Sequence, residues 1–235
     1  MRTIIISFFL LFSIVKVVAS NVQWIIDMSE RYVLVDSLGN KLSNNSYDFV
    51  YDFYDDSIVS VKKNGFWGVV NTQGLEIIPC EYDELYFEFY NRTKEYSCCS
   101  SKENFVIVCY KKKNIWVFDD KGNLLLEKVQ KVRNLSYGNI LYSKKKHTRI
   151  FSVMDRRSYK VEKKKKAHLM FSHFDENGIC IVVHVFNFNS KQESYLFGAI
   201  DTKGRYVIPC IYKEEIEVMN KVGRTIRSFR AFNNK

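Results

Sequence analysis

Short runs of alternating or wholly apolar residues, rich in Val, Ile, Phe and Tyr, follow one another along this chain without a sustained helical period. Runs of β-branched and aromatic residues predict strands. Pairs of runs flank one recurring signal: Asp or Asn, two further residues, then Gly. It occurs in YVLVDSLGNKL at 32–42, FWGVVNTQGLEII at 66–78, IWVFDDKGNLLL at 115–126 and LFGAIDTKGRYVI at 196–208. The Asp or Asn side chain bonds back to its own backbone, and glycine takes the left-handed conformation that closes a hairpin with a bulge. Gly39, Gly74, Gly122 and Gly204 fill that place, whereas RIFSVMDRRSYKV at 149–161 offers Ser158 and predicts a differently shaped turn. A further apolar run follows each of the first four hairpins (DSIVSVKKN, FVIVCYKKKN, GNILYSKKK and GICIVVHVF), so each unit reads as three antiparallel strands. The wider intervals, 91–104 and 160–178, predict loops or short irregular insertions.

Two copies match without a gap: FWGVVNTQGLEIIPCEYDE at 66–84 and LFGAIDTKGRYVIPCIYKE at 196–214. Gly68 pairs with Gly198, Gly74 with Gly204, Pro79 with Pro209, Cys80 with Cys210 and Tyr82 with Tyr212; the two prolines are the only ones in the chain. A repeat decides architecture before any single residue does. The stretch K-N-G-F-W-G-V-V-N-T-Q-G, followed by E-I-I-P-C-E-Y-D-E, resembles the WG-repeat (KWG) family of bacterial β-rich repeat proteins. The best matches are 62–85 and 196–214, the latter with Phe197 where Trp67 stands. The copy at 111–126 keeps Trp116 but has Val117 in place of the following glycine. The resemblance implies tandem antiparallel β units and no shared catalytic activity. A three-stranded unit cannot bury its apolar face alone, so neighbours must stack. The expected fold is all-β, about five three-stranded antiparallel repeats in a propeller-like ring or an open superhelical stack.

The N-terminus changes the domain picture. Met1-Arg2-Thr3, an apolar run from Ile4 to Val15 and the small residues Val18-Ala19-Ser20 describe a secretory signal peptide. The run is too short to span a bilayer. The expected organisation is a leader over 1–20, cleaved near Ser20, and one β-repeat domain over 21–235. The product is then secreted, periplasmic or at the cell surface, with no transmembrane span. Losing Arg2 and Lys16 lowers the formal charge from +10 to +8, still basic. Six cysteines in an exported chain raise the question of disulfides. Cys80 and Cys210 read as buried thiols after Ile-Pro, Cys180 as a strand residue, and a local bridge from Cys98 or Cys99 to Cys109 is left open.

Basic charge is concentrated at one place in the unit. Lys62-Lys63, Lys111-Lys112-Lys113 and Lys144-Lys145-Lys146 each lie in the turn before a first strand. In regularly arranged units these turns form a basic row suited to an anionic polysaccharide or other cell-surface polymer, with salt-sensitive affinity. Their plain structural reading is soluble hairpin tips that discourage edge pairing. Trp67, Trp116 and Phe197 read as packing residues at equivalent strand positions, and Tyr82 and Tyr212 as anchors of the turn after the Ile-Pro strand.

Little points to catalysis. His168, His173 and His184 lack the spacing of a metal site. Asp55-Asp56 and Asp119-Asp120 read as turn acids, not a calcium loop. No nucleophile elbow or glycine-rich phosphate loop is present. No catalytic residue, metal or cofactor is assigned. The leading reading is an exported, non-enzymatic β-repeat scaffold or binding protein that contacts an anionic polymer through its lysine-rich rim. The alternatives are a secreted enzyme acting on a surface polysaccharide and a sensor module that binds another protein.

Overall fold

The computed structural model describes residues 22–51, 57–89, 105–134, 136–145, 147–163, 166–188 and 191–223. The expected leader over 1–20, the segment 91–104, Cys98, Cys99, Asp55, Asp56 and Lys146 lie outside the described residues. The chain forms two compact units, Met1–Leu85 and Tyr86–Lys235.

The strands form small antiparallel meanders. In the first unit β1 (Val22–Ile26) pairs with β2 (Tyr32–Asp36) as sheet A, and β3 (Phe49–Val50), β4 (Ile58–Lys63), β5 (Phe66–Asn71) and β6 (Glu76–Tyr82) form sheet B in sequence order. Sheet C comprises β7 (Glu84–Phe89), β8 (Phe105–Lys111), β9 (Asn114–Asp119) and β10 (Leu124–Val129). Sheet D comprises β11 (Lys131–Asn134), β12 (Asn139–Lys144), β13 (His147–Ser152) and β14 (Arg157–Lys160). Sheet E comprises β15 (His168–Phe171), β16 (Ile179–Phe186), β17 (Ser194–Asp201) and β18 (Tyr206–Tyr212). The all-β repeat architecture is therefore present, with two refinements. Sheets B to E have four strands, the fourth being an outer one. The lysine turn joins two strands of one sheet instead of bridging successive units. A meander closes every strand against its sequence neighbour, so the sheets do not follow the phase read from the motif.

Side-chain alternation places the cores. In the first unit Val59, Val61 and Val70 share one face of sheet B and pack on Trp24 and Leu34 of sheet A and on Tyr47. In sheet D, Ile140 and Phe151 are register partners and pack on Val108, Val117 and Leu126 of sheet C. The next pair, Leu141 and Ile150, points the other way, onto Phe171, Cys180 and Ile200 of sheet E. Successive residues therefore feed two cores, as a period of two requires. Each fully buried Val or Ile side chain contributes about 1.5–3 kcal/mol. Beyond sheet E a helical segment at 215–223 lays Val218 on Ala199 and Ile208. Val218 is fully buried and closes that apolar face.

The turns behave as their chemistry dictates. At Asp36 the backbone N–H groups of Leu38 and Asn40 donate to Oδ1 at 2.9 and 2.8 Å, and Gly39 has φ +85°. Asn71, Asp119 and Asp201 repeat the arrangement with Gly74, Gly122 and Gly204 at φ +79°, +80° and +72°. The turn after β13 does not use Ser158, which lies in β14 and accepts from the Tyr142 hydroxyl at 2.9 Å. There Arg156 takes the left-handed conformation, φ +52°. Two further copies were missed. Asp175 accepts from the N–H groups of Asn177 and Ile179, with Gly178 at φ +72°. Asp27 accepts from Ser29 and Arg31, with Glu30 in the left-handed place at φ +59°. The expected loop at 160–178 thus contains β15 and a full Asx turn.

Candidate binding surface

The glycine after Trp67 has a specific geometric cause. Opposite β5, strand β6 carries extra residues: Trp67 faces Tyr82 and Val69 faces Ile78, so four steps on one strand match two on the other. The bulge folds Cys80 over Gly68. A Cβ there would lie 2.7 Å from the Ile78 carbonyl oxygen, 2.8 Å from the Cys80 nitrogen and 2.8 Å from its Sγ. Gly198 repeats this against Cys210, at 2.8 Å from the Ile208 oxygen, 2.8 Å from the Cys210 nitrogen and 2.7 Å from Sγ. Pro79 and Pro209 sit exposed in the bulged edge strands, where no ladder donor is needed.

Sheet C shows the converse. Val117 faces Leu126 and Ile115 faces Val129, so three steps match two and the bulge is one residue shorter. Register also corrects the equivalence read for Trp116. Trp116 stands opposite Cys109, as Gly68 stands opposite Val61, whereas Trp67 stands opposite Lys62. Trp116 therefore projects from the other sheet face, the consequence of a one-residue offset. Tyr82 is buried opposite Trp67, and Tyr212 is half-buried opposite Phe197 with the Lys221 ammonium 5.2 Å from its ring.

Only some of the lysines lie in the tight turns: Lys112-Lys113 in sheet C and Lys145 in sheet D, whereas Lys62, Lys63, Lys111 and Lys144 end the strands before them and the sheet B turn is Asn64-Gly65. Asn64 and Gly65 are both left-handed, at φ +53° and +85°, the residues such a hairpin prefers. Lys112 and Lys145 take the same conformation, at φ +57° and +50°. For a residue with a Cβ this costs about 1–2 kcal/mol.

Within the second unit, the chain path brings two of these tips to one end. Val129, the last residue of β10, pairs with Ile115 beside the lysine turn of sheet C. After Gln130, Lys131 pairs with Ser143 beside the lysine turn of sheet D. The Gln130 N–H donates to the Ser143 carbonyl at 2.9 Å, and the Lys144 ammonium donates to the Glu127 carbonyl at 3.0 Å. Lys112, Lys113, Lys144 and Lys145 are exposed; Lys111 is half-buried.

In the first unit Lys62 and Lys63 diverge to opposite faces. Lys63 turns toward sheet A, where its ammonium reaches Asn45 Oδ1 at 2.9 Å and Glu76 Oε1 at 3.9 Å, 5.9 Å from the Tyr47 ring centroid. Burial first, and then the Glu76 carboxylate that accepts from its hydroxyl at 3.0 Å, push the Tyr47 phenol well above its usual range. Lys62 lies 5.3 Å from the centroid of Trp67. It lines an open depression of about 520 Å³ with Asp48, Phe49, Tyr51, Gly65 and Trp67.

Other reactive groups are already engaged. His168 stacks on Phe188 at 4.3 Å, His173 Nδ1 lies 3.2 Å from Ser136 Oγ, and the buried His184 meets the Tyr206 hydroxyl at 2.9 Å. The three do not converge, and the described residues contain no His, Cys, Asp or Glu cluster suited to a metal. Cys80, Cys109, Cys180 and Cys210 are free thiols. Burial pushes Cys80 up to about 12 and Cys180 up to about 11, and raises Cys109 as well. No helix among the described residues is long and apolar enough to cross a membrane.

The model of the WG-containing repeat matches residues 67–91 and 197–218, the segments built around Gly68 and Gly198. The chain carries two WG-containing repeats. The first matched segment carries β6 and β7, and the second carries β18. No curated protein matches the chain. Among solved structures it is similar to the crystal structure of a protein of unknown function from Bacteroides caccae. That similarity has a TM-score of 0.26 and 13% identity over 81% of this chain and 77% of the other.

Proposed function

We propose that this WG-repeat protein is an exported, non-enzymatic binding scaffold that holds an anionic polymer against its lysine hairpin tips. The observation that carries this reading is the convergence of the β8–β9 and β12–β13 tips at one end of the second unit. The left-handed backbone of Lys112 and Lys145 adds weight. A soluble turn alone is served by Asn-Gly, as in sheet B, so lysine at these positions departs from the local optimum, and such departures concentrate at functional sites. Adjacent exposed ammonium groups bind polyanions by releasing counterions, so affinity falls steeply with salt.

The test is retention of the full chain on heparin resin. Changing Lys112, Lys113 and Lys145 to Ser should move elution to clearly lower salt. Elution of this variant at the parental salt concentration would overturn the reading. Three serines elsewhere, replacing Lys121, Lys160 and Lys203, control for bulk charge.

A further inference from the structure

The depression beside the β4–β5 hairpin has the chemistry of a sugar subsite. Phe49 and Tyr51 are 43% and 56% exposed, more than large aromatic side chains placed only for packing require. Tyr51 stacks on Trp67 with ring centroids 5.5 Å apart and planes at 22°. Phe49 stands edge-on to both, at 78° to Tyr51 and 81° to Trp67. The rings therefore make a corner: two nearly parallel plates and one perpendicular. The depression, about 520 Å³, is open to solvent on one side, as a site for one unit of a polymer must be.

Charge selects the ligand. Asp48 is already paired with Arg31 at 2.8 Å. Lys62 lies over the Trp67 ring and, among the described residues, forms no ion pair. The depression thus presents an ammonium above an apolar corner.

We infer that this corner binds one carboxylated pyranose unit, a uronate, of an acidic polysaccharide, with Lys62 facing the carboxylate and the three rings covering the sugar's C–H surfaces. This rests on the polyanion reading above and adds what the lysine tips lack, a means of recognising sugar. A nucleobase is less well suited, because stacking on a base uses a flat plate, and here Phe49 stands across it.

The test is isothermal titration of the full chain with a galacturonate hexasaccharide, against maltohexaose as the neutral sugar and a thymidine hexanucleotide as the nucleic acid. The acidic hexasaccharide should bind, and Tyr51→Ala should weaken it about tenfold, the equivalent of losing one aromatic contact. Lys62→Ser should weaken it similarly while leaving maltohexaose unaffected. Tyr51 is exposed enough for its variant to fold, which thermal unfolding followed by circular dichroism verifies. Should Tyr51→Ala fail that check, Phe49→Ala replaces it. The triple serine variant of Lys112, Lys113 and Lys145 should keep hexasaccharide binding within about twofold, since so short a ligand is held at the corner. Failure of the lysine-tip reading therefore shows in heparin retention and not in this titration. No hexasaccharide binding, equal binding by Tyr51→Ala, or preference for the hexanucleotide would overturn the inference.

Discussion

Adding one methyl group at Gly68 tests whether the repeat's signature glycine is there for the bulged strand opposite it. In Gly68→Ala the new Cβ would meet two backbone atoms, the Ile78 oxygen at 2.7 Å and the Cys80 nitrogen at 2.8 Å, as well as the Cys80 Sγ at 2.8 Å. Contacts this short force movement, and backbone atoms tied into a strand pair yield less readily than the end of a side chain. Overpacking of this kind costs about 1–3 kcal/mol, and two backbone contacts place Gly68→Ala near 2–3. With a urea slope of about 2–3 kcal/mol/M, the unfolding midpoint should fall by about 1 M. The double variant Gly68→Ala with Cys80→Ala separates the causes. Removing Sγ relieves one of the three contacts, so it should recover less than half of the loss. Gly223→Ala is the comparison: its Cβ would have nothing within 4 Å, and the parental stability should be kept or slightly raised. A Gly68→Ala unfolding free energy within about 0.5 kcal/mol of the parent would refute the argument. Full rescue by Cys80→Ala would show that the thiol, not the backbone, sets the constraint.

Acid should weaken the Asx turns. The Asn40 side chain and the N–H groups of Asn40, Leu38 and Gly39 hold the Asp36 carboxyl below its ordinary value of 3.8. A carboxyl depressed in the folded state contributes stability that is present above 3.8 and is lost as pH falls through the lower folded value. Urea midpoints measured from about pH 5 to about pH 2 should therefore fall less steeply for Asp36→Asn than for the parent; identical slopes would argue against it. The thiols of Cys180 and Cys80, raised to about 11 and 12, remain neutral at about pH 8 and should resist alkylation until urea unfolds the chain. Peptide mapping that finds the buried Cys180 carbamidomethylated within minutes in the native protein would contradict this, while the half-buried Cys80 should react more slowly than in urea.

What the sequence could reveal followed the range of the interactions. The Asp-x-x-Gly hairpins were legible because their chemistry is contained in four or five consecutive residues. Pairing of Gly68 with Cys80 was visible as co-occurrence in both good copies, but its cause lies in a cross-strand bulge. Trp116 was assigned the wrong face because two residues separate it from Asp119 where three separate Trp67 from Asn71, and a single offset inverts a strand. The Asp27 turn was hidden by Glu30 in the glycine place. The Asp175 turn has its Gly178 but follows a lysine-rich stretch that reads as a loop. The aromatic corner joins Phe49 and Tyr51 to Trp67 across three strands, and neither the motif nor the spacing marks those positions as neighbours.

A meander makes its alternate turns at opposite ends of a sheet, and in sheet C that rule separates two kinds of charge. The turns built on Asp119, Asp175 and Asp201 need their carboxylates as backbone acceptors, so those acids are committed to structure. Two are also neutralised locally, Asp119 by Arg156 at 2.5 Å and Asp201 by Arg205 at 2.7 Å. The other ends need only a chain reversal, and any residue tolerating a left-handed backbone serves there. In sheets C and D that freedom is filled with lysine. Lys112 and Lys145 take a left-handed backbone there, a conformation that Asn-Gly would fill at less cost, so on the polyanion reading proposed above the lysines are kept for their charge and not for the turn.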